Sequence, residues 1–376
     1  MTLIVFLFIL SLLILVHEFG HFYAARKNGV LVEEFGLGMP PAIFKKKVGE
    51  TVYSLNWLPF GGFVKLFGED ESEDPNALAH PRSFLSKKPW QRAIIIVSGV
   101  TMNFLLSLCL YYLFFFSTGF KTFTLPILFD YNFRFGEINS LDTVVVGFLE
   151  STNAEEAGVT IGEAIIAVDG YEVKNIPEIK EVLSGKGDQT VNVTLLDMND
   201  PSTFSTRNVE FATAKDEEGN NILGIYMARA AQIYYPNKIT AGLEHSYNVL
   251  AYSFTAMKKF IGMSISSKST EPVAQSFTGP IGIYSVVGSI LELGDEQVVL
   301  GLLDFTALIS LSLALLNIMP LPALDGGRLV FIFIELITGK RPSIRFEATV
   351  HKYGILFFFG LLILVSIKDI WVILGS

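Results

Sequence analysis

The sequence predicts a polytopic α-helical membrane protein with about four transmembrane helices, a membrane-associated β-element and an inserted extracytoplasmic α/β domain. Three observations carry that class. Hydrophobic residues make up 51% of the 376 and charged residues 17%, the composition of a membrane chain with sequence to spare for water. Apolar runs able to cross a bilayer stand near 2–25, 93–116, 302–337 and 353–367. Between the second and third, residues 141–230 change to β-branched runs punctuated by Gly and Asp turns. The net charge of −9 is dispersed with no basic stripe, so no nucleic-acid partner is expected. Cys109 is the only cysteine, which excludes an intrachain disulfide and a Cys/His zinc finger.

The first membrane half covers residues 1–118. Its opening run, Thr2 to Ala25, lacks a basic start and a small-residue cleavage site, so it reads as a retained helix rather than a signal peptide. Arg26-Lys27 follow it, and by the positive-inside rule its N-terminus faces away from the cytoplasm. Within this helix lies His17-Glu18-Phe19-Gly20-His21. Positions i and i+4 share a helix face, so His17 and His21 can grip one zinc ion, with Glu18 in reach of a water beside it. Ionisable groups in a spanning helix are costly and usually functional. The pattern points to metal-dependent hydrolysis within the bilayer.

Residues 30–68 carry strand-like content at 30–38 and 51–58, and Gly61-Gly62-Phe63-Val64-Lys65 follows a Pro59 turn. They predict a small sheet that lies against or dips into the membrane. Lys45-Lys46-Lys47 and Lys87-Lys88 put it on the cytoplasmic side. The second span, 93–116, holds Ser98-Gly99-Val100-Thr101, small residues that let helices approach, and Asn103, which needs a partner in the membrane. The aromatic connector 119–139 reads as interfacial.

Residues 141–230 form the inserted domain. Residues 238–298 read as interfacial elements: an amphipathic helix over Ile239–Ile265, with Glu244, His245, Lys258 and Lys259 on one face, then a second surface-lying piece from Gly279 to Leu293. The second membrane half is 302–376. Its run from Leu302 to Ile337 is too long for one straight span and is interrupted by Pro320 and Pro322, which predicts a broken helix lining a polar cavity. The last span is 353–367, followed by an interfacial Trp371. Four spans put the N-terminus, the inserted domain and the C-terminus on the extracytoplasmic side.

Two histidines do not complete a catalytic zinc site, which takes three protein ligands and keeps one position open. Of the five histidines, His80 lies in a polar loop, and His245 and His351 lie at segment edges. Asp325, an acid at the helix break, is the candidate third ligand; the alternatives are that it caps the following helix or pairs with Arg328.

Val144 to Gly170, with Asn153-Ala154-Glu155-Glu156-Ala157-Gly158 and Gly162-Glu163, resembles a bacterial PDZ domain in which Asn153 and Glu163 replace the commoner Pro and Asp. Leu223-Gly224-Ile225 is either its carboxylate-binding loop, receiving peptide C-termini, or an ordinary edge strand. Taken together, HEFGH, Gly61–Lys65, the PDZ-like domain and Asn317-Ile-Met-Pro-Leu-Pro-Ala-Leu-Asp325-Gly-Gly resemble the site-2 protease family, on its bacterial regulator-of-sigma-E side. The resemblance covers nearly the whole chain. It implies an intramembrane metalloprotease with Zn2+ held by His17, His21 and Asp325, and Glu18 as general base. It further implies that Asn317 bonds the substrate backbone or transition-state oxygen, and that Gly36, Gly38, Gly61, Gly62 and Phe63 help hold substrate. The implied substrates are single-pass transmembrane proteins, of anti-sigma-factor or remnant-signal-peptide type, in a bacterial cytoplasmic membrane. Two departures stand out: there is room for one PDZ-like domain rather than two, and Phe63 stands where tyrosine is usual. A PDZ-bearing scaffold with a structural metal and a metal transporter are the rival readings.

Overall fold

In the computed structural model the residues described are 1–69, 80–149, 152–184, 190–198, 205–216, 219–269, 273–274, 278–293 and 295–375. Parts of the expected segments 141–230 and 238–298, and Ser376, fall outside them. The chain divides into two compact units, Met1–Tyr111 with Phe260–Ser376, and Tyr112–Lys259.

The first unit is helical, with one small sheet. Helix α1 (Thr2–Lys27) and helix α2 (Pro89–Ser117) are long and apolar enough to cross a bilayer. Without a hydrophobic driving force in lipid, helices associate through close packing. Here Gly20 of α1 abuts the Ser98–Gly99 backbone of α2, and a Cβ at Gly20 would stand inside van der Waals contact with the Ser98 carbonyl. Asn103, buried on α2, accepts at its backbone carbonyl from the Ser310 hydroxyl at 2.8 Å.

Strands β1 (Val32–Val48) and β2 (Thr51–Leu66) make the sheet. Both outrun the predicted strands because each bends on itself. Residues 42–48 and 51–56 form a hairpin, residues 34–37 lie beside 52–55, and 62–66 pair with 32–37. Gly38 (φ +79°) and Gly61 (φ +93°) supply left-handed backbone at the bends. The bent sheet exposes Met39, Phe44, Trp57 and Leu58.

The remaining helices complete the unit: α5 (Pro280–Leu291), α6 (Asp295–Ile318), α7 (Asp325–Thr338) and α8 (Ile344–Gly375). The stretch after Gly279 forms α5, whose Val287 is fully buried against Ile9 and Leu13 of α1 while Tyr284 and Val286 are exposed; Asp369 of α8 accepts from the backbone N–H groups of Gly279 and Gly282 at 2.9 and 3.0 Å. One expectation needs correction. The last helix begins nine residues before Tyr353, at Ile344. Leu356, Phe357, Phe359 and Leu364 of α8 are mostly exposed, an exterior suited to lipid. Among the described residues four helices are long and apolar enough to cross a membrane, within 2–27, 89–117, 297–318 and 344–371.

The second unit holds strands β3 (Leu125–Pro126), β4 (Glu137–Phe148), β5 (Glu163–Val168), β6 (Tyr171–Glu172), β7 (Thr190–Asp197), β8 (Thr206–Ala212), β9 (Ala214–Lys215), β10 (Asn221–Ile222) and β11 (Ile225–Tyr234). Their main sheet runs β3-β11-β4-β5-β7-β8, with β6 on β5. Helix α3 (Ile176–Leu183) lays Ile179 and Leu183 on a core of Val145, Ile165, Val191, Val193 and Phe211. Asn175 caps α3 by accepting from Glu178 N–H at 3.0 Å. Ile225 opens β11 and pairs there with Phe148 of β4, while β3 joins the other side of β11 only at Ala230 and Ala231. Glu163 is buried; burial alone would raise its carboxyl, but Arg207 and the Thr160 N–H hold it below the usual carboxylate range. Helix α4 (Ala241–Ser267) starts in this unit. Its His245 is fully enclosed, takes a hydrogen bond at Nδ1 from the Tyr235 hydroxyl at 3.0 Å, and is pushed down to about 3 by burial.

Candidate metal centre

His17 and His21 lie on one face of α1 with their Nε2 atoms 3.1 Å apart. Asp325 closes a triangle: its Oδ2 is 3.1 Å from His17 Nε2 and 3.3 Å from His21 Nε2. Chemically these are three lone-pair donors aimed at one point. Asp325 Oδ2 is buried and makes no well-directed hydrogen bond to either ring despite the short separations. A divalent cation relieves that crowding, and two imidazoles with one carboxylate form a donor set suited to zinc with a position left open. His21 Nδ1 donates to the Ile95 carbonyl at 2.8 Å, which leaves Nε2 as the free lone pair.

The two histidines come from regular helix, whereas Asp325 is delivered by a break. Helix α6 stops at Ile318, Pro320 and Pro322 prevent its continuation, and α7 restarts at Asp325. Gly326 and Gly327 let the first turn of α7 pack on the carbonyls of Met319 and Leu321, where any Cβ would overlap. From the other side α8 holds the same loop. His351 Nδ1 accepts from Ala323 N–H at 3.0 Å, fixing a residue in left-handed backbone (φ +73°). A Cβ at Gly354 would meet the Pro322 side chain at 2.5 Å. Asp325 therefore neither caps a helix through its side chain nor serves as the ion-pair partner of Arg328, which pairs with Glu69.

A cavity of about 250 Å³ opens on the triangle, walled by Glu18, Phe63, Glu69, Ala323 and Arg328 among others. Glu18 faces it from α1, and the 62–66 segment of β2 forms a wall: a Cβ at Gly62 would lie 3.6 Å from Glu18 Cγ. Among the described residues the ladder partners of 62–66 are confined to 32–37. Gly36 is needed because the Phe63 ring lies across it. Asn317 is not brought into this cavity; it sits in the last turn of α6, partly exposed.

Three contributors escaped the sequence reading. Gly99 lies under both imidazoles, and its only signal was a run of small residues. His351 had the appearance of a residue at a segment edge. Glu69 gave no signal, since its partner Arg328 is 259 residues away.

Comparison with known proteins bears on this centre. The model of peptidase family M50 matches residues 5–361. A protein of Clostridium perfringens named as a zinc metalloprotease is 31% identical over 360 residues, 96% of each chain. One of Fusobacterium nucleatum with the same description is 28% identical over 384 residues, 99% of each. A Staphylococcus aureus relative, also so named, is 25% identical over 452 residues, 98% of each. Among solved structures, the PDZ domain of the SdrC-like protein of Listeria monocytogenes aligns with 23% of this chain and 87% of its own length, at 19% identity and a TM-score of 0.19, too low to assign a fold. A match that runs through both HEFGH and the Asp325 loop, with relatives covered end to end, makes this membrane protein a zinc metalloprotease, and the chain belongs to peptidase family M50, the site-2 protease family.

Proposed function

We propose that the protein cleaves single-pass transmembrane helices within the bilayer, with His17, His21 and Asp325 as the zinc ligands and Glu18 as general base. The observation that carries this reading is the His–His–Asp triangle between apolar helices with Glu18 beside it. Zinc at that triangle supplies a Lewis acid for the scissile carbonyl and acidifies the attacking water. Glu18 accepts the proton of that water and delivers it to the leaving amine. A helical substrate hides its carbonyls in its own hydrogen bonds, so it must unwind locally before attack. The 62–66 segment, on the cavity wall and paired on one side, is placed to take the unwound strand by β-addition. Gly36 and Gly62 keep that wall thin, and Phe63 offers an aromatic face to substrate.

In this reading Asn317 is a substrate contact reached only when substrate enters, since it lies outside the cavity wall. The protein sits in the bacterial cytoplasmic membrane with the N-terminus, the 141–230 domain and the C-terminus extracytoplasmic, an orientation supported by the basic residues at 26–27, 45–47, 87–88 and 340–341. The 141–230 domain is a PDZ-like module that takes peptide C-termini near Leu223-Gly224-Ile225, where Gly224 carries left-handed backbone (φ +70°). Substrates are of anti-sigma-factor or remnant-signal-peptide type. The scaffold alternative is disfavoured because three protein ligands leave a metal position open, where a structural site would be closed.

The test is cleavage of a tagged single-pass substrate by the purified full-length protein, beside Glu18→Gln and a zinc chelator. Cleavage inside the apolar segment, lost in both controls, supports the reading. Cleavage retained by zinc-loaded Glu18→Gln removes Glu18 from the mechanism, and cleavage only outside the apolar segment refutes intramembrane action.

A further inference from the structure

Asn103 is 1% exposed, enclosed on α2 among the apolar helices of the first unit. Its backbone carbonyl accepts from Ser310, but its side-chain Oδ1 has no hydrogen-bond partner among the described residues. Buried acceptors are rarely left so, and a polar side chain in a spanning helix is costly enough to need a reason.

A second orphan lies on the facing helix. His17 Nδ1 is buried and also has no partner among the described residues. The triangle decides what that atom carries. His17 Nε2 stands 3.1 Å from Asp325 Oδ2 and is the lone pair offered to a metal, so the single proton of the neutral ring sits on Nδ1. One orphan is thus a donor and the other an acceptor. His21 already gives its Nδ1 proton to the Ile95 carbonyl, as metal-bound imidazoles almost always do. Of the two rings, His17 is the one without an acceptor.

Helix register brings the two orphans to facing turns. Gly20 of α1 abuts Ser98 and Gly99 of α2, whereas Leu106 of α2 packs in the cluster around Ile9 and Leu13. The helices therefore run antiparallel, and Asn103 passes α1 between Gly20 and Leu13, where His17 stands. Gly99 lies one turn before Asn103 on the same face of α2. A Cβ at Gly99 would be 2.9 Å from His17 Cε1, the ring atom bonded to Nδ1. Two polar atoms so placed, near each other but not in direct contact, suit one bridging water.

We propose that Asn103 is a positioning residue for the metal centre. Its amide oxygen takes the Nδ1 proton of His17 across one buried water, holding the ring in the tautomer and orientation that turn Nε2 toward zinc. An amide can present either end, and only the oxygen end suits an imidazole N–H. The Ser310 hydroxyl, bonded to the Asn103 carbonyl, ties α2 to α6 at the same level. This role rests on His17 being a zinc ligand, as proposed above.

The test is zinc affinity of the purified full-length protein, measured by competition with a chromophoric chelator. Asn103→Leu keeps the side-chain bulk without an acceptor and should bind zinc about 10- to 100-fold more weakly. Asn103→Asp keeps an oxygen at that place and should stay near wild type. Proton NMR of the cobalt-loaded protein in water and in D2O adds a readout that packing alone would not move. The exchangeable Nδ1 signal of His17 should shift or vanish in Asn103→Leu, while that of His21, held by Ile95, stays. Unchanged affinity and signals in Asn103→Leu would overturn the proposal, and equal weakening in both variants would reduce Asn103 to a packing residue. His17→Ala separates the two readings. Zinc held undiminished there refutes His17 as a ligand, whereas zinc lost there but kept by Asn103→Leu refutes only the role of Asn103.

Discussion

Gly99 of α2 lies directly under the imidazole of His21, where a Cβ would overlap Nε2 and stand 2.9 Å from His17 Cε1. The missing methyl group is what lets two ligand rings sit between crossing helices. Gly99→Ala should therefore tilt both rings. Zinc per chain should fall, and cleavage should drop about 100-fold, the cost of roughly ångström misplacement of reacting groups. Metal analysis beside a cleavage assay checks this; full zinc occupancy in the variant would show that the helices simply move apart.

Gly62 bears on Glu18, the proposed general base, rather than on the His–His–Asp triangle. A Cβ there would lie 3.1 Å from the Gly36 carbonyl and 3.6 Å from Glu18 Cγ, and the branches of valine would reach further. Gly62→Val should retain zinc while turnover falls about 100-fold. Zinc loss in parallel with activity would mean that the strand supports the ligands instead.

Asp325→Asn keeps the shape of the proposed third ligand and removes its charge. Zinc retention during dialysis against a mild chelator should fall from about one per chain to a small fraction, because neutral amide oxygen is a weak zinc donor. Unchanged retention would assign the third ligand to another residue.

His245 gives the second unit a defined pH response. Its folded value is about 3, below the ordinary histidine value, because burial disfavours the cation. Between pH 6.5 and 3 the unfolded chain therefore binds the extra proton and stability falls with pH. The loss should be about 2 kcal/mol from pH 7 to pH 5. Denaturant titrations at the two pH values measure it, and His245→Asn should flatten the slope.

Arg207 neutralises Glu163 through Nε and Nη2, both at 2.7 Å. Arg207→Ala leaves a buried carboxylate without its cation and should cost about 2 kcal/mol, less than for a fully buried pair because Arg207 is half in solvent. The Glu163→Gln/Arg207→Ala double variant should recover most of the loss, as measured by chemical denaturation.

The metal centre was largely legible in the sequence because HEFGH is a local pattern: helical spacing alone brings His17 and His21 together. Asp325 was reached by context, as an acid beside prolines in an apolar run. The competing ion pair with Arg328 was settled only by Glu69, which no local pattern connects to it. His351 resembled a segment edge for the same reason, since its partner Ala323 meets it through space. Sheet lengths were underestimated because bends at Gly38 and Gly61 interrupt alternation without ending the strands. The start of α8 was set too late because Glu347, His351 and Lys352 lower hydropathy without breaking a helix.

The His–His–Asp triangle joins residues 17 and 21 to residue 325. A ribosome that has completed 324 residues has made both imidazoles, the neighbouring glutamate and three of the helices around them, yet no carboxylate to close the centre. Synthesis order thus leaves the proposed centre unfinished until Asp325 has been made, more than 300 residues after its two histidines.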